Sequence, residues 1–243
     1  LGAVPATART AVTLDGGALS ASTNVALDAN RRVALAADSA VAVSAGANLT
    51  VNGDVSGQGG LTKTGNGTLT LAGAGTATGA TRVAAGTLAL ANPSAQLGGL
   101  AGARGLSLNN SGNAAVAVAV GANGADTTYA GVLSGLGSLT KVGTGTLTLA
   151  GTSTFTGGVG HDAGTLAVSA DANLGAVPTV LAPAALTLDG ATLNATGTFT
   201  LATNRGITLT AASNLGVVAG ATLTYGGAVS GNFALTKVGA GSL

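Results

Sequence analysis

Apolar residues recur two positions apart in short bursts along the whole chain. Side chains two positions apart point to the same side of a β-strand, so each burst predicts a short strand with one apolar side. Gly, Asn, Asp or Ser bounds most bursts and supplies a turn. Clear examples are Val12/Leu14, Val41/Val43, Leu69/Leu71, Leu88/Leu90 and Leu147/Leu149. The pattern predicts an all-β chain with negligible helix.

The early bursts are evenly spaced, with Val25, Val33, Val41 and Leu49 each eight residues apart. Three such strands with their turns form a coil of roughly 24 residues, which lies in the range of solenoid repeats. A sandwich or an up-and-down barrel also contains many short strands. Such folds cover their edges with charged residues, and this chain has few. We therefore predict a parallel β-helix of about ten coils, roughly 50 Å long at a strand spacing of ~4.8 Å.

All three lysines of the chain occupy one repeated motif, Leu-Thr-Lys-x-Gly-x-Gly, at Lys63, Lys141 and Lys237. We expect the three lysines at equivalent corners of the coil, with Leu61, Leu139 and Leu235 pointing into the core. A second, longer repeat has a period of about 174 residues. It pairs Leu1–Pro5 with Leu174–Pro178, Thr13–Gly16 with Thr187–Gly190, and Asn30-Arg31 with Asn204-Arg205.

The composition narrows the possible classes of protein. Charged residues make up 7% of the chain, against about 25% in typical soluble proteins. The nine basic residues are dispersed and the net charge is +1, which argues against a nucleic-acid partner. Cysteine is absent, which suits a chain that crosses an oxidising compartment before it folds. No apolar run reaches the ~18 residues of a membrane-spanning helix.

The lysine units resemble a known family. Residues 57–90 and 135–168 share the Leu-Thr-Lys motif, a Gly-x-Gly-Thr-Leu-Thr-Leu strand and a closing Ala-Gly-Thr-Leu, and residues 231–243 begin a third copy. This resembles the autotransporter-associated β-strand repeat of bacterial type V passenger domains. The resemblance implies a right-handed parallel β-helix at the bacterial cell surface, attached to the outer membrane only through a C-terminal barrel that is not in this chain. Residues 1–243 are then expected to form one β-helix segment, an excised part of a longer passenger.

Few residues are candidates for chemistry. His161 is the only histidine, and it stands where the first repeat has Val83. It could act as a general base or a ligand, but we favour a turn residue or a one-residue register slip. The chain has no second His, no Cys and no Glu to complete a metal site. The eight Asp residues are interpreted as turn residues, as at Asp15 and Asp189. We therefore predict no catalytic, cofactor-binding or metal-binding residues.

The predicted function is a non-catalytic structural or adhesive stalk. One alternative is an ice- or glycan-binding face built from Thr-x-Thr pairs, as at Thr68/Thr70 and Thr146/Thr148. A second alternative is a polysaccharide-cleaving β-helix, which the five aromatic residues make a poor match. The expected partners are other copies of the chain, end to end or side by side, and a surface or glycan receptor.

Overall fold

The computed structural model describes residues 2–243, which form a parallel β-solenoid of about ten coils. Each coil runs through three faces in the order A, B and C. Face A contains β1 (Arg9–Leu14), β4 (Arg31–Leu35), β7 (Val55–Gly57), β10 (Gly75–Ala77), β13 (Ser94–Leu97), β16 (Ala117–Val120), β19 (Ser138–Lys141), β21 (Val159–His161), β23 (Ala182–Leu188), β26 (Arg205–Leu209) and β29 (Val229–Ser230).

Face B contains β2 (Ala18–Ala21), β5 (Ser39–Val43), β8 (Leu61–Thr64), β11 (Ala80–Val83), β14 (Gly99–Gly102), β17 (Thr127–Tyr129), β20 (Thr146–Leu149), β22 (Thr165–Val168), β24 (Thr192–Ala195), β27 (Ser213–Val217) and β30 (Leu235–Val238). Face C contains β3 (Val25–Leu27), β6 (Asn48–Val51), β9 (Thr68–Leu71), β12 (Thr87–Leu90), β15 (Leu106–Ser107), β18 (Leu133–Ser134), β25 (Phe199–Leu201) and β28 (Leu223–Tyr225). A single 3₁₀ turn, Asp171–Leu174, occupies face C between β22 and β23.

Most strands pair in parallel with the strand on the same face of the next coil, although β10 does not pair with β13, nor β12 with β15. Face B is one uninterrupted sheet of 11 strands, whereas face A consists of a four-stranded and a seven-stranded sheet. The register pairs Ala80 with Gly99 and Gly102 with Tyr129, so the coils vary in length around the predicted 24 residues. The even early spacing is confirmed, since β3, β4, β5 and β6 begin within two residues of the predicted positions.

The core is built from stacked columns of Leu and Val. Leu69 pairs with Leu49 on one side and Leu88 on the other, and all three side chains are buried. The intervening Thr50 and Thr70 pair on the outer surface. This arrangement explains the alternation in the sequence, because a parallel solenoid stacks like residues on like.

The 174-residue repeat is visible in the hydrogen bonds. The side-chain amides of Asn30 and Asn204 donate to the carbonyls of Pro5 and Pro178 at 3.1 and 3.0 Å. The N–H groups of Gly16 and Gly190 likewise donate to the hydroxyls of Ser39 and Ser213. Leu1, the first residue of the repeated Leu-Gly-Ala-Val-Pro motif, lies outside the described residues. Residues 2–243 contain no helix with the length and apolar character needed to cross a membrane.

Candidate functional site

Lys63 lies inside the solenoid, with its side chain fully buried. Its Nζ donates to the carbonyl oxygens of Thr64 and Gly65 at 2.7 Å each and of Ala85 at 3.2 Å. An ammonium group has three N–H donors, so all three can be matched. Thr64 ends β8 and Gly65 begins the turn that follows it, whereas Ala85 belongs to the next coil. Lys63 therefore ties its own turn to the coil that stacks on it.

Lys141 repeats this arrangement. Its Nζ donates to the carbonyls of Val142 and Gly143 at 2.7 Å each and of Ala163 at 3.2 Å, and its side chain is 1% exposed. We call each lysine with its three carbonyls a lysine cage. The first cage is Lys63 with Thr64, Gly65 and Ala85, and the second is Lys141 with Val142, Gly143 and Ala163.

The glycines of the repeat motif make the cages possible. Gly65 has φ +68°, a left-handed conformation that glycine adopts without strain. Gly86 comes from the next coil, and a Cβ there would lie 2.3 Å from the Gly67 carbonyl oxygen and 2.8 Å from the Lys63 Nζ. The Lys-x-Gly-x-Gly and Ala-Gly segments have the same spacing in both copies of the repeat. This spacing is explained by the cage, because both segments contribute to it.

Burial disfavours the protonated form of both lysines. Burial lowers the pKa of Lys63, and it lowers the pKa of Lys141 against the opposing attraction of the Asp126 carboxylate. A buried charge is tolerated when hydrogen bonds replace its hydration. The three carbonyls supply those hydrogen bonds, so each cage holds a cation within an apolar core.

Lys237, in the third copy of the motif, is exposed. Among the described residues its Nζ has one carbonyl partner, Gly239, at 2.9 Å. The prediction that Leu61 and Leu139 point into the core is confirmed, with exposures of 4% and 0%, and Leu235 is half-buried.

The prediction that the three lysines occupy equivalent corners is wrong. Lys63 and Lys237 lie on face B strands, whereas Lys141 lies on β19 of face A. The first repeat spans five successive face segments, β8 to β12, and six more separate it from β19. Eleven segments are not a whole number of three-faced coils, so the second cage is displaced by one face around the rod.

The interpretation of His161 as a turn residue or a register slip is also wrong. His161 ends β21, pairs with Lys141 of the preceding coil, and has a fully buried side chain. Within the described part of the chain, neither ring nitrogen has a hydrogen-bond partner. In the first repeat Val83 pairs with Lys63 in the same way. The prediction that His161 occupies the position of the apolar Val83 is therefore confirmed. The sequence signal that indicates a buried His161 is its spacing of two residues from Val159, which is also buried.

A buried ion pair anchors the 3₁₀ turn on face C. Arg205 is 1% exposed, and its Nε donates to Asp171 Oδ1 at 3.0 Å. The remaining guanidinium nitrogens donate to the carbonyls of Leu174 and Gly175 at 3.0 Å. Arg31, the counterpart of Arg205 in the 174-residue repeat, is also buried and donates to the Gly2 carbonyl.

Replacing Asp171 with Asn should destabilise the chain by about 2–3 kcal/mol, because it leaves the Arg205 charge buried without its partner. Thermal unfolding followed by circular dichroism would measure the change. Asp28→Asn is the control, since Asp28 is exposed and accepts only a local N–H bond from Asn30 at 2.9 Å among the described residues. Equal effects of the two substitutions would contradict a structural role for the ion pair.

Three other acidic residues tie neighbouring coils together. Asp38 accepts from the Gly60 N–H at 2.6 Å, Asp54 from Ala74 at 3.0 Å and Asp126 from Thr146 at 2.6 Å. Residues 2–243 contain no group of three or more side chains suited to hold a metal ion.

The Thr-x-Thr pairs are distributed over the three faces. Thr68/Thr70 lie on face C, Thr146/Thr148 on face B, and Thr208 with the adjoining Thr210 on face A. Thr76/Thr78, Thr154/Thr156 and Thr222/Thr224 complete the set, and no two of the six pairs lie in adjacent coils of one face. The two-dimensional threonine array that an ice-binding surface would need is therefore not formed by these pairs.

Comparisons with known proteins match the part of the chain that carries the cages. The family model for the Passenger-associated-transport-repeat matches residues 61–90 and 139–168. The Adhesin BmaC autotransporter of Brucella suis biovar 1 (strain 1330) is 35% identical over 131 residues, which cover 53% of this chain and 4% of that adhesin. No solved structure matches the chain significantly. The two matched repeats, this relative and the parallel solenoid together support an autotransporter passenger with passenger-associated transport repeats.

Proposed function

We propose that the chain is a rigid, non-catalytic stalk of an autotransporter passenger, displayed at the bacterial cell surface and used for adhesion. The observation that carries the proposal is the uninterrupted 11-stranded parallel sheet of face B. Each strand of such a sheet is hydrogen-bonded to the next coil, and the two lysine cages add ties at the corners. A stack of this kind transmits force along its axis without a flexible linker.

The kinship with an adhesin supports this proposal. The adhesive activity belongs to the Brucella protein by its name, and this chain spans a small part of that protein's length. A catalytic β-helix needs charged groups that converge in a groove. Here the carboxylates of Asp38, Asp54 and Asp126 instead accept N–H bonds from neighbouring coils, which favours a structural use of the acidic residues.

The surface offers an apolar area for contact with other surfaces. Val177, Val180 and Leu181 are 49%, 73% and 50% exposed, and the first two border a groove of about 610 Å³. Leu136, 56% exposed, lies one coil below, because Gly135 and Gly137 accept backbone bonds from Thr156 and Gly157 on the groove wall. We call these four residues the apolar corner. Clustered exposed apolar side chains favour association, here with a receptor or side by side with another copy.

Beads coated with the 243-residue chain should adhere to one another and to host-cell or glycan-coated surfaces. The double variant Val180→Ser/Leu181→Ser should weaken this adhesion about thirtyfold, because each of the two apolar side chains buried at the contact contributes roughly 1 kcal/mol. Val4→Ser is the matched control, since Val4 is the counterpart of Val177 in the longer repeat and is 55% exposed.

The same preparation, incubated with a panel of polysaccharides, should release no reducing ends. Measurable turnover would contradict the non-catalytic proposal. A strict monomer in light scattering, together with beads that bind no surface, would contradict the adhesive one.

A further inference from the structure

His161 lies directly beside the second lysine cage. In register on face A it stacks on Lys141 of β19 and beneath Leu188 of β23. A neutral imidazole has one donor and one acceptor nitrogen. In the described residues both nitrogens are buried and unpartnered, so the ring is held in the core without the hydrogen bonds that normally offset burial.

The charges around the ring disfavour its protonation. The Lys141 ammonium belongs to the strand below, and β23 above contributes the uncharged Leu188. The carboxylate of Asp162 follows His161 directly and that of Asp189 follows β23, and burial first, then repulsion by Asp189, raises the pKa of Asp162. Burial first, and the Lys141 charge second, lower the pKa of His161 to about 4, while the backbone at Ala163 and Gly164 opposes this shift.

The first repeat contains the same cage without a histidine. Val83 stacks on Lys63 there and is fully buried. The two repeats thus share the cage and differ at the residue that covers it, which makes each repeat a control for the other.

We propose that the second repeat is an acid-sensitive joint in the rod: protonation of His161 beside the second lysine cage opens residues 139–168, while the first repeat stays closed. A proton adds a second cation next to the buried Lys141 ammonium, and the backbone at Ala163 and Gly164 offsets the cost only in part. The charged ring is stable only where water reaches it, which requires the coil to open.

The direction of the pH effect follows from the difference in the pKa of His161 between the open and closed states. In the opened state the histidine has an ordinary pKa near 6.5, and in the closed state its pKa is about 4. Between these values the open state binds a proton that the closed state does not, so stability present above pH 6.5 is lost as the pH falls towards 4. The opening equilibrium of the second repeat should rise about a hundredfold between pH 7 and pH 4.

Proton NMR measures the pKa of His161 directly, because the chain contains one histidine. The ring protons of His161 should titrate near pH 4, or be lost as the repeat opens on approaching that pH. A reversible titration near 6.5 with the fold intact would show a ring already in contact with water and would overturn the proposal.

Hydrogen exchange followed by mass spectrometry tests the opening, after correction for the pH dependence of intrinsic exchange. In the whole chain, peptides from 139–168 should lose protection between pH 7 and pH 4, while peptides from 61–90 keep theirs. His161→Val, which copies Val83, should remove the acid sensitivity, and Val83→His should confer it on the first repeat. If Val83→His does not fold, the His161→Val result decides alone. Equal acid loss in both repeats, or acid sensitivity retained in His161→Val, would overturn the proposal.

Discussion

Replacing Lys63 with glutamate should destabilise the solenoid by at least about 4 kcal/mol. The substitution buries an acidic group against three carbonyl oxygens and removes their cationic donor. Lys63→Met should cost less, about 2 kcal/mol, because it keeps the aliphatic packing and leaves only the carbonyls unpaired. Thermal unfolding and the exchange protection of residues 61–90 would measure both effects.

Lys237→Glu is the control for this prediction. It changes the same residue of the same motif at an exposed position, and exposed charges contribute little to stability. The lysine cage would be contradicted if Lys237→Glu and Lys63→Glu destabilised the chain to the same extent, or if Lys63→Glu were neutral.

A comparably large effect is expected from Leu139→Asp. Leu139 is fully buried and stacks between Val118 and Val159, so an aspartate there places an unpaired carboxylate inside the core. We expect a loss of about 4 kcal/mol in the free energy of unfolding. Chemical denaturation followed by circular dichroism would detect it.

Leu136→Asp provides the matched comparison three residues earlier. Leu136 is 56% exposed, so the new carboxylate stays in water and stability should change little. If Leu136→Asp proved as disruptive as Leu139→Asp, the assignment of Leu139 to the core side of β19 would be wrong.

The strands and their stacking could be predicted from the sequence because the signal is local. Leu69 and Leu71 alternate with threonines, and a strand is the element that separates such residues into two sides. The repeated spacing then favours stacking of equivalent strands over hairpins. The same alternation also places Lys63 on the side of Leu61, but lysine is so seldom buried that the sequence favours a position at a corner of the coil.

The position of each cage around the rod could not be predicted in this way. It depends on how many face segments separate Lys63 from Lys141, and residues 153–156 form a segment of face C without being a regular strand. Coil length also varies, since the coil between the paired residues Gly102 and Tyr129 is longer than the coil between Ala80 and Gly99. These are properties of the assembled stack, so the local pattern does not encode them. The burial of His161 without a partner is likewise a consequence of packing between coils.

The displacement of the cages by one face affects how the rod carries a bending load. Bending stretches the coils apart along one edge and compresses them along the opposite edge. The first cage resists stretching at its corner through Ala85, and the second resists it at a different corner through Ala163. Because the reinforced edges do not line up, a load that stretches one leaves the other largely relaxed. Two charged side chains thus stiffen the rod in more than one plane of bending.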